Sequence, residues 1–281
     1  MAEYLQNNPS LWQALLPWPK PEHNKYHRGH TLVVGGSAKH AGAAKLAAFS
    51  ALRTGSGLVT IVCNERDVPV YATTALSLMT ETLDNWKTLL EDSRKNTAII
   101  GPGAGVGKET CDLVLAALEA KKETVLDADA LTSFADDPAR LFNAIASPCV
   151  LTPHSGEFAR LFSGLSINHI RLQNALQAAT LSHAVVVLKG SDTVIAAPDG
   201  RAVINHNAPP ELATAGTGDV LAGIIAGLLS QGMEVFAAAC AAVWIHGEAA
   251  KLQGTGLISQ DLPNHIGKVL QGLKIQPKGG F

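Results

Sequence analysis

The stretch Thr214–Ala215–Gly216–Thr217–Gly218–Asp219 is followed at once by the apolar run Val220–Leu229. Small residues allow the backbone to approach a ligand closely, and the N–H groups and dipole of a helix start attract an anion. A carboxylate there would repel phosphate unless it accepts a proton from a hydroxyl that attacks phosphorus. The alternative is that Thr217 or Asp219 only caps the helix. Because capping does not require glycines on both sides of Thr217, the pattern favours a phosphate site with Asp219 as the base.

Outward from this motif, short β-branched runs alternate with Ala-rich helical stretches. The alternation predicts an α/β fold, a three-layer helix–sheet–helix sandwich with a mostly parallel central sheet. The turn Pro198–Asp199–Gly200 predicts a hairpin that adds an antiparallel edge. The predicted strands are Thr31–Val34, Leu58–Val62, Ala98–Ile100, Thr124–Leu126, Cys149–Thr152, Val185–Leu188, Thr193–Ala196 and Ala202–Ile204. The predicted helices are Ala41–Thr54, Lys108–Ala120, Ser155–Phe162, Ile170–Ser182, Asp219–Gln231 and Val235–Leu252.

Glycine and polar residues concentrate at the carboxyl ends of the predicted strands. In a parallel sheet these ends meet at one edge, which is where ligands bind in such folds. Turns alone would not require so much Asp, His and Lys, so the pattern indicates an enzyme. The residues concerned are Gly35–Gly36–Ser37, Gly101–Gly105, Asp127, Asp129, Pro153–His154 and Lys189–Gly190.

Length and composition fit a single α/β domain spanning residues 1–281, with 47% hydrophobic residues to fill its core. The formal net charge of −2 gives no reason to expect a nucleic-acid or anionic-membrane partner. Residues 1–28 are predicted to form an arm, with prolines spaced around Trp12 and Trp18 and no signal-peptide pattern. The apolar segments Val220–Leu229 and Val235–Ile245 are too short to span a bilayer.

The four cysteines lie far apart in the sequence and form no C-x-x-C pair. This spacing predicts neither a disulfide framework nor a zinc site, and favours a reducing cytoplasm. His23, His27 and His30 have no acidic or Cys partner in the arm, so we interpret them as surface or packing residues. The cysteines are Cys63, Cys111, Cys149 and Cys240.

The Thr214–Asp219 segment resembles the anion-hole motif of ribokinase-like kinases. Leu126–Leu131 (L-D-A-D-A-L), Thr152–Glu157 (T-P-H-S-G-E) and Lys189–Thr193 (K-G-S-D-T) narrow the resemblance to the ADP-dependent (S)-NAD(P)H-hydrate dehydratases. The resemblance extends from about Tyr26 to the last helix. Many relatives carry a fused epimerase domain, which this sequence lacks, so we expect no epimerase activity from it.

The resemblance implies a ribokinase-like fold and the ADP-dependent dehydration of the S-form of hydrated NADH or NADPH, which leaves AMP and phosphate. It also implies Mg²⁺ as a cofactor and assembly as a homotetramer. It makes Asp219 the catalytic residue and places Ala43, Gly103, Gly105 and His154 with Asp219 around the substrate. It assigns nucleotide binding to Lys189, Gly190, Ser191, Asp192, Thr193, Gly216, Thr217 and Gly218.

Several of these segments also have a purely structural interpretation. Gly35–Ser37 and Gly101–Gly105 fit ordinary loops, and His154 fits a packed core histidine. Glu157 either complements a helix dipole or holds Mg²⁺ through water. Lys189–Thr193 fits a hairpin turn as well as a nucleotide contact. Asp127 and Asp129 could help to hold a metal or could cap a helix, and for Asp129 the capping interpretation is slightly favoured.

The chemistry explains why a kinase-like fold would run a dehydration. Hydroxide leaves a ring carbon poorly, whereas phosphate leaves readily once the hydroxyl is phosphorylated. Two other functions remain open on the residues alone. One is a vitamin-precursor kinase of the same superfamily, which would not be expected to carry both T-P-H-S-G-E and K-G-S-D-T. The other is a nucleotide-binding regulator, which would gain nothing from Asp219 beside phosphate.

Overall fold

The computed structural model describes residues 5–165 and 171–274. Its centre is a ten-stranded sheet in the order β1-β10-β9-β8-β7-β6-β5-β2-β3-β4. The strands are β1 Leu5–Gln6, β2 His30–Val34, β3 Leu58–Cys63, β4 Met79–Thr82, β5 Thr97–Ile100, β6 Glu123–Leu126, β7 Cys149–Leu151, β8 Val185–Leu188, β9 Thr193–Ala196 and β10 Ala202–Asn205.

Eleven α-helices accompany these strands in the described part of the chain. They are α1 Ala41–Thr54, α2 Val68–Ala72, α3 Trp86–Glu91, α4 Lys108–Glu119, α5 Asp129–Ser133, α6 Pro138–Phe142, α7 Ser155–Leu161, α8 Arg171–Ser182, α9 Thr217–Leu229, α10 Val235–Gln253 and α11 Leu262–Leu273. The predicted helices are found within two residues of these bounds, apart from Ile170, which lies outside the described residues.

The strands from β2 to β8 pair in parallel, and β9 pairs antiparallel with both β8 and β10. The predicted mostly parallel sheet and its hairpin are therefore confirmed. The hairpin is not the edge of the sheet, however, because β1 from the N-terminal arm pairs outside β10, with Leu5 opposite Val203. A two-residue strand is too short to show the alternation from which strands are predicted.

Two hydrophobic cores lie on opposite faces of the sheet, which confirms the helix–sheet–helix sandwich. Successive strand residues point to opposite faces, so Val33 enters one core and Leu32 and Val34 enter the other. The first core holds residues of α1, α2, α9, α10 and α11, and the second holds residues of α3 to α8.

Helix α9 packs against α1 closely enough to position its own first turn. A Cβ atom at Gly223 would lie 2.3 Å from the backbone oxygen of Ala47, so a side chain there would separate the two helices. The contact brings the start of α9 beside the first turns of α1, at the carboxyl edge of the sheet.

Helix α10 has 19 residues, one more than the predicted helix Val235–Leu252, and is therefore longer than the apolar segment Val235–Ile245, which by itself is too short to span a bilayer. By length and composition it is the one helix in residues 5–165 and 171–274 that could cross a membrane. Most of its side chains are buried inside the protein, against β8, β9, α9 and α11. This burial is what a core helix of a folded α/β protein shows.

Candidate active site

The site is built around the first turn of α9. This helix begins at Thr217, two residues before the predicted start, and Gly216 is its N-cap. Gly216 has a φ of +89°, and a Cβ atom there would lie 2.6 Å from Ser259 Oγ and 2.8 Å from Leu46 Cδ1. Only glycine fits this position, since both the backbone conformation and the available space exclude a side chain.

Among the residues that the structure describes, no side chain caps the start of α9. The interpretation in which Thr217 or Asp219 only caps the helix is therefore wrong. The Thr217 hydroxyl instead donates to the backbone oxygens of Leu212 and Thr214, at 3.0 and 3.1 Å, and so holds the preceding loop. The first N–H groups of α9 are left for an anion, as the sequence predicts.

Two cavities flank this helix start. The first, here called the Lys189 cavity, has a volume of about 570 Å³ and is lined by Lys189, Gly190, Ser191, Thr193, Thr217 and Gly218. Its remaining wall is largely apolar and includes Pro209, Pro210, Leu212, Leu221 and Val243. Six of the eight residues predicted to bind nucleotide thus line one cavity, whose apolar wall suits a nucleobase.

The second cavity, here called the Ala43 cavity, has a volume of about 700 Å³. Four of the five residues predicted to contact substrate line it, namely Ala43, Gly103, Gly105 and Asp219. Gly216, predicted on the nucleotide side, lines this cavity instead. The turn from Gly216 to Asp219 therefore lies between the two cavities, with Thr217 and Gly218 lining one and Gly216 and Asp219 lining the other.

Beneath this turn, Lys189 and Asp127 form a close ion pair. Lys189 Nζ lies 2.6 Å from Asp127 Oδ1, and the Asp127 side chain is 2% exposed. Burial alone would lower the pKa of Lys189, but the charges of Asp127, Glu157 and Asp219 raise it, so the ammonium group stays charged. The Asp127 carboxylate thus pairs with Lys189 and does not cap α5, and its other sequence interpretation, a part in holding a metal, stays a prediction.

Asp219 is partly buried among these charges. Burial, together with the negative charge of Asp127, raises its pKa to about 7, although Lys189 acts in the opposite direction and Asp129 adds slightly to the rise. Asp129 itself accepts the N–H of Gly105 at 2.8 Å. A carboxyl group with a pKa near neutrality can accept a proton efficiently at physiological pH.

Three predicted site residues lie outside the two cavities. Asp192 is exposed and pairs with His206, with Oδ1 2.7 Å from Nδ1. His154 is the N-cap of α7: its Nδ1 accepts the N–H groups of Gly156 and Glu157. Glu157 Oε2 accepts the N–H of His154 at 2.8 Å, completing a capping box. This geometry favours the helix-capping interpretation of Glu157.

The structure also brings residues to the site that the sequence analysis did not single out. Arg171 Nη2 donates to the backbone oxygens of Leu188 and Lys189, both at 3.0 Å, and so holds the start of the K-G-S-D-T segment. His246, on α10, lines the Lys189 cavity, and burial lowers its pKa to about 4. Neither residue belongs to a local motif, and their positions depend on how α8 and α10 pack.

The site offers a divalent cation a small set of carboxylates. Within residues 5–165 and 171–274, no group of three or more His, Cys, Asp or Glu side chains is arranged to hold a metal ion. Mg²⁺ commonly takes one or two carboxylates and otherwise phosphate and water oxygens. Asp127 and Asp129, near Asp219, offer that limited donor set.

An amide-lined helix start with a carboxylate beside it suits enzymes of ribokinase-like fold that bring a hydroxyl group to a nucleotide phosphate. Comparison with known proteins narrows this class. The model of the NAD(P)H-hydrate dehydratase family matches residues 31–271, and the chain belongs to that family. The resemblance stated from the motifs is thereby confirmed.

Individual relatives agree with this assignment. The chain is 36% identical to the ADP-dependent (S)-NAD(P)H-hydrate dehydratase of Neisseria meningitidis, over 88% of this chain and 85% of that protein. It is 38% identical to the bifunctional NAD(P)H-hydrate repair enzyme of Moorella thermoacetica, over 93% of this chain but only 53% of that protein. The chain thus spans about half the length of such bifunctional relatives.

Among solved structures, the ADP/ATP-dependent NAD(P)H-hydrate dehydratase of Bacillus subtilis, co-crystallised with ATP and Mg²⁺, superposes with a TM-score of 0.86. It is 30% identical in sequence, and the match covers 98% of this chain and 100% of that one. The similarity therefore extends over nearly the whole chain.

Proposed function

We propose that this protein catalyses the ADP-dependent dehydration of the S-form of hydrated NADH and NADPH, which restores the reduced cofactor and yields AMP and phosphate. One observation carries the proposal. Asp219 lies at the uncapped start of α9, between a cavity lined by the predicted nucleotide residues and a cavity lined by the predicted substrate residues. A hydroxyl in the Ala43 cavity can therefore meet a phosphate held at the same helix start.

In the first step, Asp219 accepts the proton of the ring hydroxyl while the hydroxyl oxygen attacks the β-phosphorus of ADP. The new P–O bond forms as the bond to the bridging oxygen breaks, and AMP leaves with that electron pair. The N–H groups of Gly216, Thr217 and Gly218 stabilise the charge on the transferred phosphoryl group. Lys189, held by Asp127, adds a positive charge on the nucleotide side.

In the second step, phosphate leaves with the C–O electron pair as the ring nitrogen donates its lone pair. Loss of a proton from the neighbouring ring carbon then restores the dihydropyridine. Asp219, once it has lost its first proton to solvent, is the group placed to accept this one. The net change is the removal of water from the ring at the expense of one phosphoanhydride bond.

The finer assignments follow the same proposal. Asp127 and Asp129 are the carboxylates that would hold Mg²⁺, which would neutralise phosphate charge when ADP is bound, and the water-mediated role predicted for Glu157 is the alternative to its capping role. His154 and Asp192 stay predicted ligand contacts outside the two cavities. The four cysteines are buried and unpaired, which supports a cytoplasmic location. A single domain and the absence of nucleic-acid or membrane partners stay predictions from the sequence. The homotetramer stays an expectation from the family resemblance.

The decisive experiment incubates the purified protein with hydrated NADH and follows the return of reduced-ring absorbance with ADP, with ATP or without nucleotide. We expect recovery that requires nucleotide and is fastest with ADP, accompanied by equal amounts of AMP and phosphate. Phosphorylation of a vitamin precursor without recovery of NADH would instead identify a kinase. Tight nucleotide binding without turnover of either substrate would identify a regulator.

A further inference from the structure

A groove leads away from the Ala43 cavity on the side opposite α9. Its inner part, of about 210 Å³, shares His40, Gly103 and Gly105 with the Ala43 cavity. Its outer part, of about 390 Å³, shares Asn64 and Arg66 with the inner part. The three spaces therefore adjoin one another, and we call the inner and outer parts together the Arg66 groove.

A buried carboxylate, Asp67, lies between the two walls of this groove and beside Arg66. Asp67, which is 5% exposed, accepts the N–H of Ala38 with Oδ1 at 2.9 Å. Asp67 Oδ2 lies 3.5 Å from Arg66 Nε. Ala38 follows the Gly35–Ser37 loop on one wall, and Arg66 follows β3 on the other. The Arg66 side chain itself is 79% exposed, so its guanidinium group is available to a ligand.

The proposed substrate is a whole dinucleotide, and only its hydrated ring has to lie beside Asp219. With the hydrated ring at Asp219, the ribose, diphosphate and adenosine of the dinucleotide extend away from the ring position. The Lys189 cavity lies across the helix start and is needed for ADP. The Arg66 groove adjoins the Ala43 cavity, and Arg66 is its one Lys or Arg within the described residues.

We propose that the Arg66 groove binds the phosphate-bearing remainder of the hydrated dinucleotide, and that Arg66 contacts one of its phosphate groups. This inference rests on the proposed function and adds to it a substrate-binding residue outside the recognised motifs. Arginine suits the role because its planar guanidinium group donates two parallel hydrogen bonds to phosphate oxygens.

The carboxylates of the groove oppose this attraction and define a second, independent test. Glu65, Asp84 and Glu109 line its outer part. Glu109 also lines the inner part, so its negative charge lies along the whole path of a bound phosphate. Removal of that charge in Glu109→Gln should lower the KM for hydrated dinucleotide, whereas removal of the positive charge at Arg66 should raise it.

The main experiment compares Arg66→Ala with Lys87→Ala, which removes an equal charge from an exposed residue of α3 that does not line the groove. We expect Arg66→Ala to raise the KM for hydrated dinucleotide about three- to tenfold, a modest effect because the side chain is exposed. Turnover at saturation and the KM for ADP should not change. Lys87→Ala should match the wild type in every parameter.

Parallel assays with hydrated NADH and hydrated NADPH identify the phosphate. An equal rise in KM for both substrates assigns Arg66 to the diphosphate, and a rise for hydrated NADPH alone assigns it to the 2′-phosphate. An unchanged KM for both substrates overturns the proposal. A rise for Lys39→Ala, which removes a cation that lines the Ala43 cavity, without a rise for Arg66→Ala also overturns it. The affinity of the same variants for both hydrates can also be measured at equilibrium, without ADP and without turnover. Weaker binding by Arg66→Ala would then support the groove even if the protein did not catalyse the dehydration, so the two proposals can fail separately.

Discussion

Lys189 Nζ and Asp127 Oδ1 lie 2.6 Å apart beneath the first turn of α9. A Cβ atom at Gly218 would lie 3.3 Å from the same Lys189 Nζ, so the ion pair is in close reach of the helix start. Because the Asp127 side chain is almost fully buried, removal of Lys189 would leave an uncompensated carboxylate, which typically costs about 3–5 kcal/mol. The ion pair therefore stabilises the structure around the phosphate site and also contributes to the charge of that site.

Asp127→Asn should move the acid limb of the pH–rate profile to lower pH. The charge of Asp127 raises the pKa of Asp219, so its removal lowers that pKa and keeps the base deprotonated in more acidic solution. Without its partner Asp127, the positive charge of Lys189 acts on Asp219 alone, and this also lowers the pKa of Asp219. The pH dependence of kcat/KM measures the shift.

The matched control for this prediction is Asp136→Asn, which removes one exposed carboxylate before α6. Its acid limb should coincide with that of the wild type. Coincident profiles for Asp127→Asn and the wild type would show that Asp127 does not act on the base, whatever its effect on stability.

Asp219→Asn should abolish turnover and leave ADP binding largely intact, since Asp219 lines the Ala43 cavity and not the Lys189 cavity. In the wild type, activity should rise with pH through about 7, as the base loses its proton. Turnover by rate measurement and nucleotide affinity by calorimetry test both statements. Substantial activity in the variant would remove Asp219 from the role of base.

The same substitution should raise the free energy of unfolding at alkaline pH. The folded-state pKa of Asp219 lies above its unfolded value, so the stability associated with its bound proton is present at low pH and lost as pH rises through about 7. Removing the buried charge should therefore stabilise the protein by about 2 kcal/mol near pH 8, and by less near pH 5. Denaturant unfolding at the two pH values measures the difference.

Gly216→Ala should destabilise the protein by about 1–3 kcal/mol and weaken ADP binding, because its φ of +89° and its contacts with Ser259 and Leu46 exclude a Cβ atom. The control is Gly272→Ala, in α11, where a Cβ atom would have no neighbour within 4 Å. That substitution should be neutral or slightly stabilising. Equal effects of the two substitutions would contradict the geometry at Gly216.

Glu157→Gln tests the capping interpretation against the metal interpretation. Glutamine can still accept the N–H of His154, so the capping box is retained without the charge. We expect a loss of less than about 1 kcal/mol of stability and no change in the Mg²⁺ concentration that gives half-maximal activity. A large rise in that concentration would restore Glu157 as a ligand of the metal through water.

Much of the fold could be read from local patterns. Ala41–Thr54 is a helix with the predicted bounds, since its Ala-rich sequence favours helix strongly and Gly55 ends it. Strand β4 and helix α11 have no predicted bounds. Met79–Thr82 is a short, partly exposed edge strand, and its pairing with β3 creates its regular structure more than its own composition does.

The candidate site divides in the same way. Gly216 and Asp219 belong to the same six-residue motif, Thr214–Asp219, and their roles follow from backbone conformation and charge within that motif. Asp127 and Lys189 are 62 residues apart, and no local pattern pairs them. They meet because β6, β7 and β8 are neighbours in register, so that the residues after β6 and β8 converge at one edge. Short-range preferences are properties of the chain itself, whereas contacts between distant side chains exist only once the sheet has ordered its strands.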